Sequence, residues 1–202
     1  RLQAANETLE QRVAERTAEL QAQSVQLERL AQHDSLTGLI NYRQLTRLLE
    51  RALARADRRD SVVVLMFIDL DGFKAVNDTW GHATGDLVLK TVARRVQARL
   101  RAEDALARLG GDEFVILLED VTSRDGALRV ARLVLAEIES ITEADGHAIR
   151  ISASIGIASA RGQMGAARGQ EALLAEADKA MYAAKQAGKG RFVVSPQSQW
   201  LG

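Results

Sequence analysis

Gly110-Gly111-Asp112-Glu113-Phe114-Val115-Ile116-Leu117-Leu118 sets two glycines against two adjacent carboxylates and a run of apolar residues. Glycine tolerates positive φ and lets other groups approach the backbone closely. A Gly-Gly pair opening into such a run therefore predicts a tight hairpin turn that leads into a buried strand. Asp112 and Glu113 then stand at the strand's entrance, where alternate side chains face opposite ways and can serve two different tasks. Outward from this turn, Ser61 to Asp69 is a β-branched apolar run and reads as a second buried strand. Ile149 to Ser159 reads as a third, and Arg191 to Val194 as a last short one. Helical patterns occupy Tyr42 to Ala56, Asp86 to Leu100, Ser123 to Ser140 with Ser123 as its cap, and Glu171 to Gln186. Strands and helices interleave, yet one strand pair is a hairpin. The expected fold is α/β, a central mixed or antiparallel sheet covered by helices. His33 to Leu39 is rich in turn formers and offers Asp34 or Ser35 as a helix cap. Gly162 to Gly169, with three glycines, reads as a loop.

Composition narrows the function classes. The 202 residues suit one domain plus an appendage, and 47% hydrophobic residues favour a packed core over disorder. Lys plus Arg and Asp plus Glu balance at 27 each, which removes the broad basic field of a general nucleic-acid binder. With no cysteine there is no thiol nucleophile and no Cys-based zinc site. The longest apolar stretch, Val62 to Ile68, is too short to span a bilayer.

Residues 1–32 lack Gly and Pro and are rich in helix formers. Leu2, Leu9 and Leu30 share one heptad register, and Val13, Leu20 and Leu27 the complementary one, with Asn6, Arg16 and Gln23 as interruptions. A parallel partner helix would bury this seam, so a homodimer through residues 1–32 is expected. The boundaries read as a coiled-coil helix at 1–32, a folded domain at 33–196 and a tail at 197–202. The chain opens in mid-helix at Arg1 without a methionine, the pattern of a piece of a longer protein. The domain itself is expected in the cytoplasm, with any membrane anchor in an upstream part.

The chemistry-bearing residues recur in separate segments. Asp69 and Asp71 end the first strand, in Phe67-Ile68-Asp69-Leu70-Asp71-Gly72-Phe73-Lys74. Hard oxygen ligands converging from different segments suit a divalent metal against a polyphosphate. Strand termination by a turn former is the plainer explanation of these acids taken alone. Gly72-Phe73-Lys74 offers backbone N–H groups and an ammonium to phosphates. Asn77 and Asp86 flank Trp80-Gly81-His82-Ala83-Thr84-Gly85, and a carboxylate accepts well from the N1–H and N2–H₂ edge of guanine. Lys185 and Lys189, four apart on one helical face, can clamp a triphosphate, although cations stabilise any helix C-terminus.

Together these segments closely resemble the diguanylate cyclase family, named for its Gly-Gly-Asp/Glu-Glu-Phe signature. The resemblance covers about Asp34 to Val193. It includes Asp34-Ser35-Leu36-Thr37, Phe67 through Asp78, Gly81-His82-Ala83-Thr84-Gly85-Asp86, Arg108 through Phe114, Ser154-Ile155-Gly156, and Ala177 through Lys185. It implies a fold similar to nucleotidyl cyclases and polymerase palms, and condensation of two GTP into cyclic di-GMP with release of pyrophosphate by two domains facing each other. It implies Mg²⁺, with Mn²⁺ an alternative, held by Asp69, the Leu70 carbonyl and Asp112. Asp112 or Glu113 would activate the 3′-hydroxyl, and Lys74, Lys185 and Lys189 would stabilise phosphate charge. Phe73, Asn77, His82, Asp86 and Gly111 would line the substrate site. Arg101-Ala102-Glu103-Asp104 stands where the family carries its product-inhibition site, although such a tetrad is commonly a surface ion pair. Either Arg129 or Arg132 on the following helix would complete that site. Tyr42 and Gly190 depart from residues frequent in the family, arginine and asparagine respectively, and neither change removes a metal ligand.

Overall fold

The computed structural model describes residues 12, 15–21, 23 and 31–201, without the side chains of 163–168. Residues 12, 15–21, 23 and 31–32 are helical, but Leu2, Leu9, Val13, Leu27 and Leu30 of the heptad seam lie outside the described residues. Helix α1 (Tyr42–Arg59) leads into strand β1 (Val62–Asp71), followed by α2 (Phe73–Trp80) and α3 (His82–Gln97). The hairpin β2 (Ala105–Gly110) and β3 (Glu113–Val121) precedes α4 (Arg124–Glu139). A small ribbon, β4 (Glu143–Ala144) and β5 (His147–Ala148), then β6 (Ser152–Arg161), α5 (Gly162–Gln186) and β7 (Arg191–Val194) complete the chain.

The main sheet has the order β2-β3-β1-β6-β7 and is mixed. β1 pairs antiparallel with both β3 and β6, whereas β6 and β7 run parallel. All ten residues of β1 are buried, as a strand covered on both faces must be. Its alternation divides two cores. Val62, Val64, Met66, Ile68 and Leu70 face a layer built by α3 and α4, with Val88, Val92, Ala131 and Val134. Val63, Leu65 and Phe67 face α1 and α5, with Leu45, Leu49, Leu173 and Ala177. Asp69 and Asp71 continue the second set by the same period of two.

Several boundaries differ from the sequence expectation for local reasons. Neither Asp34 nor Ser35 caps a helix. Asp34 Oδ1 instead accepts from the Thr37 N–H and hydroxyl, closing a turn, and Asn41 caps α1 by accepting from Gln44 N–H. The helix expected from Asp86 begins at His82, and Gly81 at φ 83° separates it from the unanticipated α2. Gly162 to Gly169 is not a loop. Its backbone is helical and merges with the following helix across a break at Gly169, where φ is 74°. Ser123 caps α4 as expected, accepting from Gly126 N–H. No helix among the described residues is long and apolar enough to cross a membrane.

Candidate active site

The site forms at the end of β1 where three segments meet. Asp69 lies opposite Glu113 in the β1–β3 register, and the Leu70 N–H donates to the Asp112 carbonyl at 3.2 Å. The glycine turn is thereby pinned to the central strand, and Gly111 takes a left-handed φ of 50° that an L side chain would strain. Lys185 reaches in from the last turn of α5 and pairs with Asp69 Oδ2 at 2.8 Å. The expectation that Lys185 and Lys189 share a helical face is corrected here. α5 is capped at Ala187, and Lys189 lies beyond it with φ 62°.

These acids repel one another in a partly dry setting. Burial pushes the Asp69 carboxyl above the ordinary range against its hydrogen bond from Lys185, with the charges of Asp112 and Asp71 adding to the rise. Burial also raises Glu113, followed by the charges of Asp69, Asp112 and Asp178, against the pull of Lys185. Burial opposes the charge on Lys185, but the hydrogen bond to Asp69 and the charges of Asp69, Asp112 and Asp71 outweigh it and raise its pKa. One ammonium faces several carboxylates, a surplus of hard anionic oxygen that suits a divalent cation. Among the described residues no three or more His, Asp or Glu side chains form a ready-made metal cage. Two carboxylates completed by a backbone carbonyl and substrate phosphates fit the way Mg²⁺ is usually held.

Beside the acids, Gly72 caps α2 in the left-handed region without a side-chain cap, so the first N–H groups of α2 face outward next to exposed Lys74. The Phe73 ring is in the core, 7% exposed, which leaves its backbone as the part available to a ligand. Asn77 Oδ1 is buried without a hydrogen-bond partner and is packed against Gly85, where a Cβ would come within 1.9 Å of it. His82 opens α3, and Asp86 is exposed one turn later. The Trp80 ring stacks on His147 with centroids 4.1 Å apart, tying the β4–β5 ribbon to this loop.

Arg108 joins the site to the start of the domain. Its guanidinium donates to both Asp34 carboxylate oxygens at 3.0 Å and twice to the Gly111 carbonyl, at 3.0 and 2.8 Å. Burial pushes the Asp34 carboxyl up, but the Thr37 hydrogen bonds and the Arg108 guanidinium hold it below the ordinary range. Asn41 continues the chain of bonds to residues 31–32, donating to the Ala31 and Gln32 carbonyls.

A separate cavity of about 230 Å³ lies behind β3 against α4. Arg101, Asp104 and Arg129 line it, whereas Arg132 does not and places its guanidinium 5.8 Å from the Phe192 ring centre. Arg101 and Asp104 form no ion pair among the described residues. Asp104 Oδ2 instead accepts the Arg101 backbone N–H at 3.0 Å, and burial pushes its carboxyl up. Sequence reasoning assigned no specific task to Ser154, Asp178 or the Arg108 side chain, although all three stand within the motifs, and it left Asp71 as a strand-ending acid two residues beyond Asp69 on the same strand face.

The site is thus an acid cluster at the end of the central strand of an α/β domain, beside a glycine turn and a helix N-terminus. The chain belongs to the diguanylate cyclase GGDEF-domain family, whose profile matches residues 31–191. It is 45% identical over 184 residues to the bifunctional diguanylate cyclase/cyclic di-GMP phosphodiesterase MucR of Pseudomonas aeruginosa, covering 91% of this chain and 26% of MucR. It is 42% identical over 174 residues to the diguanylate cyclase TpbB of the same species, covering 86% of this chain and 39% of TpbB. The chain thus spans well under half the length of these relatives. Among solved structures, the coiled coil and GGDEF domain of DgcB from Caulobacter crescentus, in complex with c-di-GMP, superposes with a TM-score of 0.80. That match has 30% identity and covers 92% of this chain and 98% of the other.

Proposed function

We propose that this domain is a Mg²⁺-dependent diguanylate cyclase that condenses two GTP molecules into cyclic di-GMP and two pyrophosphates. The observation that carries this reading is the meeting of Asp69, Asp112, Glu113 and Lys185 at the end of β1. Asn77, His82 and Asp86 hold the guanine and ribose. The α2 N-terminus, Lys74, Lys185 and Lys189 hold the triphosphate. Asp69, the Leu70 carbonyl and Asp112 would hold Mg²⁺, which would supply Lewis-acid stabilisation of phosphate charge. Asp112 or Glu113, adjacent at the glycine turn, accepts the proton of the 3′-hydroxyl. The freed 3′-oxygen attacks the α-phosphorus of the GTP on a second copy. The bond to pyrophosphate breaks, and the lysines stabilise the leaving charge. Repetition in the other direction closes the ring, so the active form is a dimer, assembled through residues 1–32 under the control of an upstream sensor.

The cavity bordered by Arg101, Asp104 and Arg129 supports feedback by cyclic di-GMP, because Arg guanidinium forks match phosphate and guanine edges. The deciding experiment is chromatography of the products formed from GTP and Mg²⁺, with Mn²⁺ as a second metal. Cyclic di-GMP is expected from the wild type and not from Asp112→Ala. A wild-type dimer that binds GTP without forming product would overturn the assignment, and an active Asp112→Ala would overturn the metal site.

A further inference from the structure

Asp71 is a buried carboxylate, 8% exposed, for which the reaction above has no use. It lies two residues beyond Asp69 in β1 and therefore on the same face of the sheet. The Ser154 hydroxyl donates to both of its oxygens, at 3.1 and 2.9 Å, and the Gly190 backbone N–H donates to Oδ2 at 3.1 Å. This last bond crosses from the central strand, over β6, to the turn that joins α5 to β7. The turn is conformationally demanding. Gly188, Lys189 and Gly190 have φ values of 113°, 62° and 55°, and a non-glycine residue in the left-handed region is strained. Lys189 therefore keeps its conformation only if its neighbours are fixed. On one side the end of α5 fixes them, through Gly188 N–H to the Lys185 carbonyl at 3.3 Å and Lys189 N–H to the Ala184 carbonyl at 3.1 Å. On the other side Gly190 is fixed by Asp71. Gly190 is also closely seated, since a Cβ there would lie 3.1 Å from Ser152 Oγ and 3.6 Å from Glu139 Oε1.

We propose that Asp71 is a positioning residue that, through the Gly190 N–H, aims Lys189 at the substrate triphosphate. The inference rests on the reading that Lys185 and Lys189 bind GTP phosphates. The two carboxylates of one strand face then divide the work. Asp69 holds the Lys185 ammonium directly, and Asp71 holds the backbone that carries Lys189. Asp71 is itself held by the Ser154 hydroxyl, which suits an anchor for a strained turn.

The test compares GTP and guanosine binding by calorimetry in the wild type, Asp71→Ala, Asp71→Asn, Lys189→Ala and the Asp71→Ala/Lys189→Ala double variant. Asp71→Ala is expected to weaken GTP binding about tenfold, the scale of losing one buried hydrogen bond, and to leave guanosine binding within about twofold. Asp71→Asn keeps an oxygen acceptor for Gly190 and should restore GTP binding to within about threefold of wild type. In the Lys189→Ala background, Asp71→Ala should add nothing, because both remove one contact. Equal weakening of GTP and guanosine, or full additivity with Lys189→Ala, would overturn the proposal. Should Asp71→Ala fail to fold, Asp71→Asn decides alone: a loss as large as that of Lys189→Ala overturns it. A wild type that binds GTP and makes no cyclic di-GMP refutes the proposed activity while leaving this comparison readable. Turnover by the wild type with unchanged GTP affinity in Asp71→Ala refutes the positioning role alone.

Discussion

Glu113 shows how one carboxylate in a crowded acid cluster weighs on stability. Burial and the charges of Asp69, Asp112 and Asp178 raise its pKa, so the folded chain holds this proton at pH values where the unfolded chain has released it. Over that window the folded state binds more protons, and stability falls as pH rises. The contribution is fully present below the ordinary glutamate value and is lost as pH climbs through the raised one. Asp69 acts in the same direction. Glu113→Gln removes the titration and the repulsion, so it should melt at a higher temperature than wild type at pH 7, with the gap closing toward pH 4. Scanning calorimetry at both values tests this, and a lower melting temperature for the variant at pH 7 would refute it. Arg108 is the stabilising counterpart. Its side chain is only 10% exposed and holds the Gly111 carbonyl and Asp34 together, a two-ended contact that the shorter reach and point charge of lysine could not reproduce.

At the level of elements, the packing of α5 on β6 fixes where Lys185 arrives. A Cβ at Gly156 would lie 1.9 Å from the Ala177 carbonyl oxygen and 2.1 Å from the Met181 nitrogen, both in the helix backbone. Gly156→Ala must push α5 away, which should cost about 1–3 kcal/mol in urea denaturation and raise the KM for GTP by displacing the lysine. On α4, two arginines a turn apart have different surroundings. Arg129→Ala should weaken cyclic di-GMP binding in calorimetry about tenfold, and Arg132→Ala should leave it near wild type, since Arg132 sits over Phe192 outside the cavity. The sequence made the existence of most elements legible, because runs such as Val62 to Ile68 and the heptad-like spacing of Leu89, Val92 and Val96 report burial directly. It concealed α2, whose eight residues between two glycines are too short to show a period. The helical backbone of 162–168 was hidden by glycines that usually signal a loop. The glycine turn, Asp69 and Lys185 were legible as a site through their motifs. The tasks of Asp71 and Arg108 were not, because their partners lie 119 and 74 residues away.

For the whole molecule, the proposed reaction would need two copies, so assembly should set the rate. Removing residues 1–32 should make product formation rise with the square of enzyme concentration, whereas the full chain should rise linearly once dimeric. Equal turnover per domain at low concentration in both forms would show that the helix does not bring the copies together. The central position of β1 has a different consequence, for the order in which the chain acquires its shape. β1 needs β3, about fifty residues on, and β6, about ninety residues on, as its neighbours. During synthesis the seven-residue run Val62 to Ile68 therefore emerges long before either edge is covered, as an uncharged β-prone segment of the kind that associates with copies of itself. The strand that ends in the acids is thus also a stretch in need of shielding at the ribosome, and its acid cluster is complete only once β3 and the last turn of α5 have joined it.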